Sequence, residues 1–193
     1  MPKIRPEDIW PSEKYAAQRA ALRKNLIETK KSRRMEVGPF ATFYFENYDT
    51  MWMQVHEMLH IEKGGEAQVH GELEAYNPLI PQGSELIATL MLEIEDPARR
   101  TRELMRLAGI EETTYIELAG TRIPGTPTEY DDRTTPDGKT SSVHWVRFRF
   151  TQEQIAKFHD PAIVAVLGVA HPAYGHMAVI TPEVRAELAK DFS

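Results

Sequence analysis

The chain has 193 residues, of which 41% are hydrophobic, and a net charge of −6 with no cysteine. Its length and apolar content fit a single domain over residues 1–193 with a core of its own. The lack of cysteine excludes disulfides, thiolate nucleophiles and a thiolate-ligated iron–sulfur cluster, so any resident metal would need histidine, carboxylate, carbonyl or water ligands.

From the N-terminus, Met1-Pro2-Lys3-Ile4-Arg5-Pro6 has no signal-peptide core, and no later apolar run reaches the roughly 18 residues that span a bilayer. The expectation is a cytoplasmic protein without a membrane partner. Residues 1–34 carry ten Lys or Arg against four acids, which leaves −12 on the remainder. Such an arm is read here as a solvated helix face. With no interleaved aromatics beyond Tyr15 and an acidic body behind it, nucleic acid is not an expected partner.

Trp10-Pro11-Ser12-Glu13 opens a basic helix over about residues 12–33, with Ser12 as N-cap and Tyr15, Leu22 and Leu26 at helical spacing. Met35 to Phe45 is β-prone, broken at Gly38-Pro39, with a strand over Phe40–Phe45. Asp49 or Thr50 then caps a helix with Met51, Trp52, Val55, Met58 and Leu59 on its apolar side, ended by Gly64-Gly65. A short helix carries Val69, Leu73 and Tyr76 before Pro78. Leu86–Glu95 reads as a strand, and Pro97 starts a helix that stops at Ala108-Gly109. Thr113–Leu118 is a strand, and Gly120–Gly138, with three prolines, a turn-rich loop. Ser142–Phe150 alternates most clearly, with His144, Val146, Phe148 and Phe150 on one face. Thr151–Phe158 is a helix and Ile163–Val169 a strand. His171–Tyr174 makes a turn, Met177–Ile180 a return strand, and Thr181-Pro182-Glu183 opens a last helix. The fold class is α+β: a mostly antiparallel sheet with helices packed on it.

Two constellations bear on chemistry. His56-Glu57-Met58-Leu59-His60 spells H-E-x-x-H, which on a helix puts two metal-binding histidines on one face beside a general base. The usual extension fails, since Lys63 and Glu66 stand where Gly and a third His would be, and a third ligand would have to be Glu72, Glu74 or Glu93. The second constellation is His171 and His176 around a tight turn, with His144 on a core-facing strand. Joined by Glu57 or Glu93, these would form a mixed His/carboxylate site for iron, manganese or zinc.

Glu46–Thr50, Gln54–Glu62, Glu74–Pro81, Ser142–Phe150 and His171–His176 together resemble an uncharacterised bacterial family, catalogued as a domain of unknown function. Its most specific strings are Tyr-Asn-Pro-Leu-Ile-Pro and His-Pro-Ala-Tyr. The family pattern Q-x-x-E-M-L-x-x-E falls on Gln54, Glu57, Met58, Leu59 and Glu62, and the family typically has other residues at His56 and His60. The resemblance therefore implies Glu57, Glu62, His144, His171 and His176 as the metal candidates, with His56 and His60 as the alternative set. It also implies genes beside rubrerythrin-like proteins and iron–sulfur oxidoreductases, hence such partners. The leading expectation is a metal-binding accessory of a redox or oxidative-stress system. The alternatives are a zinc-dependent hydrolase using His56, Glu57 and His60, and a non-catalytic protein-interaction module.

Overall fold

In the computed structural model, which describes residues 2–128 and 133–192, eight strands form one antiparallel sheet. The strands are β1 (Arg34–Val37), β2 (Ala41–Phe45), β3 (Glu85–Leu92), β4 (Thr114–Leu118), β5 (Thr121–Pro127), β6 (Val143–Arg149), β7 (Ala165–His171) and β8 (Tyr174–Val179). Their order is β1-β2-β3-β6-β5-β4-β7-β8, and the sheet curls until its two ends almost meet. Side chains close the seam between β1 and β8. The Tyr174 hydroxyl donates to the Val37 carbonyl at 2.7 Å and accepts from Phe40 N–H at 3.2 Å and Ala41 N–H at 3.0 Å. Gly38 is required there twice over: its φ is +75°, and a Cβ would come within 2.7 Å of the Tyr174 and His176 side chains.

Alternation places Phe43, Phe45, Leu86, Leu90, Val146 and Phe148 inside this near-barrel, all buried in one cluster. Leu104 of α4 (Pro97–Arg106), Ile155 and Phe158 of α5 (Gln152–His159), and Val184 and Leu188 of α6 (Pro182–Leu188) join the same cluster. Arg33 ties the C-terminus to this body. Fully buried, it donates to the Phe45 and Glu46 carbonyls at 3.0 and 3.1 Å, and pairs with Asp191 and Glu187.

The other three helices, α1 (Ser12–Lys31), α2 (Tyr48–Glu62) and α3 (Glu66–Tyr76), belong to a layer outside the sheet. Its contact with the sheet is a separate cluster in which Met51, Val55, Leu73 and Ile80 meet Ile87 of β3 and Trp145 of β6. Of the twenty residues of α1, Tyr15 alone is buried.

Several boundaries differ from the sequence expectation. Asn47, not Asp49 or Thr50, caps α2: its side chain accepts from Thr50 N–H at 3.0 Å while Thr50 Oγ1 accepts from Asn47 N–H at 2.9 Å. Ser12 is the first helical residue and makes no capping bond. α4 ends at Arg106, and Gly109, with φ +79°, precedes a 3-10 turn over Ile110–Thr113. β8 begins at Tyr174, three residues earlier than expected. The largest correction falls in Gly120–Gly138. Its first part is β5, joined to β4 by a two-residue turn in which Ala119 and Gly120 both have positive φ. Within the rest of that stretch, residues 129–132 lie outside the described residues.

Candidate functional site

The H-E-x-x-H residues sit where α2 meets the N-terminal arm. His56 is 2% exposed, and both its nitrogens are occupied: Nδ1–H donates to the Trp52 carbonyl at 2.8 Å, and Nε2 accepts the Trp10 backbone N–H at 3.0 Å. Its ring is stacked on Trp52, with centroids 3.8 Å apart. Burial holds its pKa below the usual histidine value, so the ring is neutral. No lone pair is left for a metal. Glu57 points to α1, where Arg19 grips it through two bonds of 2.7 and 2.8 Å and the Tyr15 hydroxyl donates at 2.5 Å. The Arg19 hydrogen bonds, opposed by burial and aided by Tyr15, hold its pKa down at about 2. A base so firmly anionic and occupied is poorly suited to taking a proton from water. His60 is half-buried with its ring 5.9 Å from that of Tyr15.

The other candidates are dispersed. Glu62 is exposed at the end of α2 and accepts from Gln68 at 2.7 Å. His171 serves its turn: Nδ1 accepts Ala173 N–H and Nε2–H donates to the Ala108 carbonyl, both at 3.2 Å. His176 is exposed over Gly38, beside the Tyr174 ring. His144 does face the barrel interior, 1% exposed, and donates from Nε2 to the Ser141 carbonyl at 2.9 Å. Its Nδ1 lies 3.5 Å from Oε2 of Glu111, a residue that sequence reasoning missed because it lies on a 3-10 turn with no periodic signature. Burial lowers the His144 pKa, and Glu111 opposes that shift. Glu57 and Glu62 belong to α2, His144 to the barrel interior, and His171 and His176 to the β7–β8 hairpin. The five do not converge. Among the described residues, no three His, Asp or Glu side chains are placed to hold one metal ion.

What these contacts do build is a groove. The chain before α1 is pinned across the helices as a strap. Asn77 accepts Ile4 N–H at 2.8 Å and donates to the Ile4 carbonyl at 2.9 Å, Trp52 Nε1–H donates to the Asp8 carbonyl at 3.0 Å, and His56 receives Trp10. Between the strap and α3, over the outer half of α2, runs an open groove of about 1420 Å³. Apolar side chains from all its sides line it: Ile4, Ile9 and Trp10 from the strap, Leu59 from α2, and Val69 and Leu73 from α3. His60 and His70 also face it. The α2 and α3 lining residues recur at three- and four-residue spacing. Part of what reads in sequence as core-facing periodicity is thus the wall of a cleft.

The chain matches over residues 3–192 the family model described as "Protein of unknown function (DUF3501)". It is similar to a solved structure, a novel protein of unknown function from Burkholderia pseudomallei K96243, with 34% identity, a TM-score of 0.90 and complete coverage of both chains. No curated protein matches. A family model that spans nearly every residue makes the assignment plain: this chain belongs to the DUF3501 family.

Proposed function

We propose that this protein is a non-catalytic interaction module whose binding site is the groove between the strap and α2–α3. One observation carries the reading. Six large apolar side chains from three segments line an open cleft, and four of them, Ile9, Trp10, Leu59 and Val69, are only partly buried, whereas His56 and Glu57 beside it are committed to holding the strap and α1 in place. A cleft lined this way gains free energy by burying an apolar partner. The redox setting that the family resemblance implies supports an accessory role, with rubrerythrin-like proteins or iron–sulfur oxidoreductases supplying the bound segment. The metal-binding part of that expectation receives less support, because Glu57, Glu62, His144, His171 and His176 lie apart.

The test uses an environment-sensitive apolar dye, 1-anilinonaphthalene-8-sulfonate. Wild-type protein is expected to show saturable enhancement that Val69→Asp abolishes, with unchanged far-ultraviolet dichroism and a cooperative melt. Enhancement that is absent, or undiminished in a folded Val69→Asp variant, would overturn the reading. Elemental analysis of the same untagged preparation tests the metal alternative: stoichiometric iron, manganese or zinc that survives dialysis would favour it.

A further inference from the structure

The groove's two walls carry opposite charge, and its dimensions are those of a short helix. On the strap side stand Lys3 and Arg5, and on the α3 side Glu66 and Glu74, all exposed. Arg5 is bonded to Asp8 at 3.3 Å and lies 3.2 Å from Glu7, two acids that also line a separate hollow against α1, so the positive charge on the groove side of the strap rests mainly on Lys3. Lys63 marks the corner where α2 turns into α3, with φ +55°.

Size argues against a small molecule. Pockets for such ligands run to about 300–1,000 Å³, and this open groove holds about 1420 Å³. Its α3 wall is 11 residues long, which at a rise of about 1.5 Å per residue gives ~16 Å, three helical turns. The apolar floor is Leu59 of α2 with Val69 and Leu73 of α3, the last two four residues apart, a spacing against which an amphipathic helix can set its own i, i+3, i+4 and i+7 side chains. Rim charges flanking such a floor select partners by like-charge repulsion more than they add affinity.

Resting on the reading of the groove as a binding site, we infer that its occupant is a protein helix of about three turns with carboxylates along one flank of its apolar stripe and Lys or Arg along the other. The carboxylates meet the strap wall at Lys3, and the cations meet Glu66 and Glu74. A helix charged alike on both flanks would always set one flank against a wall of its own sign.

Three fluorescein-labelled, stapled helical peptides test this by anisotropy at low salt. All share one leucine stripe, with flanks that are mixed (Glu on one side, Lys on the other), all Glu or all Lys. For wild-type protein the mixed peptide is expected to bind tightest, by about threefold to tenfold, in line with exposed ion pairs. Glu66→Lys with Glu74→Lys makes both walls basic and should transfer the preference to the all-Glu peptide. Equal binding of the three, tightest binding of a single-sign peptide to wild type, or an order unmoved in the double variant would overturn the inference. If the dye binds and is displaced by dodecanoate but by no peptide, the groove reading stands and the helix is wrong. If neither dye nor peptide binds, both fall.

Discussion

The barrel and the helical layer outside it are built to different standards of closure. Inside the barrel, strand alternation fills the interior from every side, and even the seam between β1 and β8 is shut by one tyrosine hydroxyl with three backbone partners. The helical layer touches the sheet through a smaller cluster, is held to the strap by polar bonds from Asn77, Trp52 and His56, and leaves half-buried side chains around a groove. Function is therefore sought in the outer layer. The barrel spends its apolar residues on stability, whereas the outer layer keeps several free of full burial, which only a partner would cover.

The sharpest break of this comparison lies in the barrel. Phe148→Ala should cost about 3–5 kcal/mol by urea denaturation, as for other buried aromatics; a loss near that of a surface change would mean the interior is not close-packed. Next comes the seam, where Tyr174→Phe strands the Val37 carbonyl and two backbone N–H groups. The expected cost is about 1–3 kcal/mol, with faster hydrogen exchange at Phe40 and Ala41.

In the outer layer, Glu57→Gln removes the anchor between α1 and α2 and should cost about 1–2 kcal/mol at pH 7. Because the folded carboxyl is held at about 2, below its ordinary 4.5, its contribution is fully present above the ordinary value and is lost as pH falls through about 2. Wild-type and variant stabilities should therefore converge between pH 5 and 2; a gap that widens towards acid would contradict the anchor. The smallest effect belongs to the groove itself: Val69→Asp, at a partly buried position on the edge of the outer cluster, should cost about 1 kcal/mol. A loss of several kcal/mol would move Val69 into the core and erase the contrast between the two regions.

Much of the fold was legible in the sequence, and the failures have physical causes. Ser142–Phe150 and Leu86–Glu95 read as strands because alternation with one buried face is a strong signal, which also placed His144 towards the interior, although β3 stops at Leu92, three residues short of the expected end. β5 did not read as a strand because Pro124, Gly125 and Pro127 are strand breakers taken alone. They are tolerated because β5 changes neighbours among them, pairing with β4 up to Pro124 and with β6 from Gly125. Gly125 is also where a Cβ would strike Thr114 and Phe148.

The site was less legible. Spacing alone puts His56 and Glu57 on adjacent positions of a helix, but whether they hold a metal or the chain depends on what packs against them. Here that is Trp10, Tyr15 and Arg19, 38 to 46 residues away in sequence. The groove was invisible for a related reason. A third of its lining comes from a Pro-containing strap with no periodicity, whose position is set by Asn77, 73 residues further on.

The most direct test of the central claim, that the groove and not the His/carboxylate set is the functional site, is a nitrogen-15 correlation spectrum recorded while the mixed-flank peptide is titrated in. Perturbations are expected at Ile4, Leu59, His60, Val69, Leu73 and the Trp10 indole, with the barrel amides unmoved. Perturbations confined to His144, Glu111 and the His171–His176 hairpin, or a spectrum that does not change at saturating peptide, would contradict it.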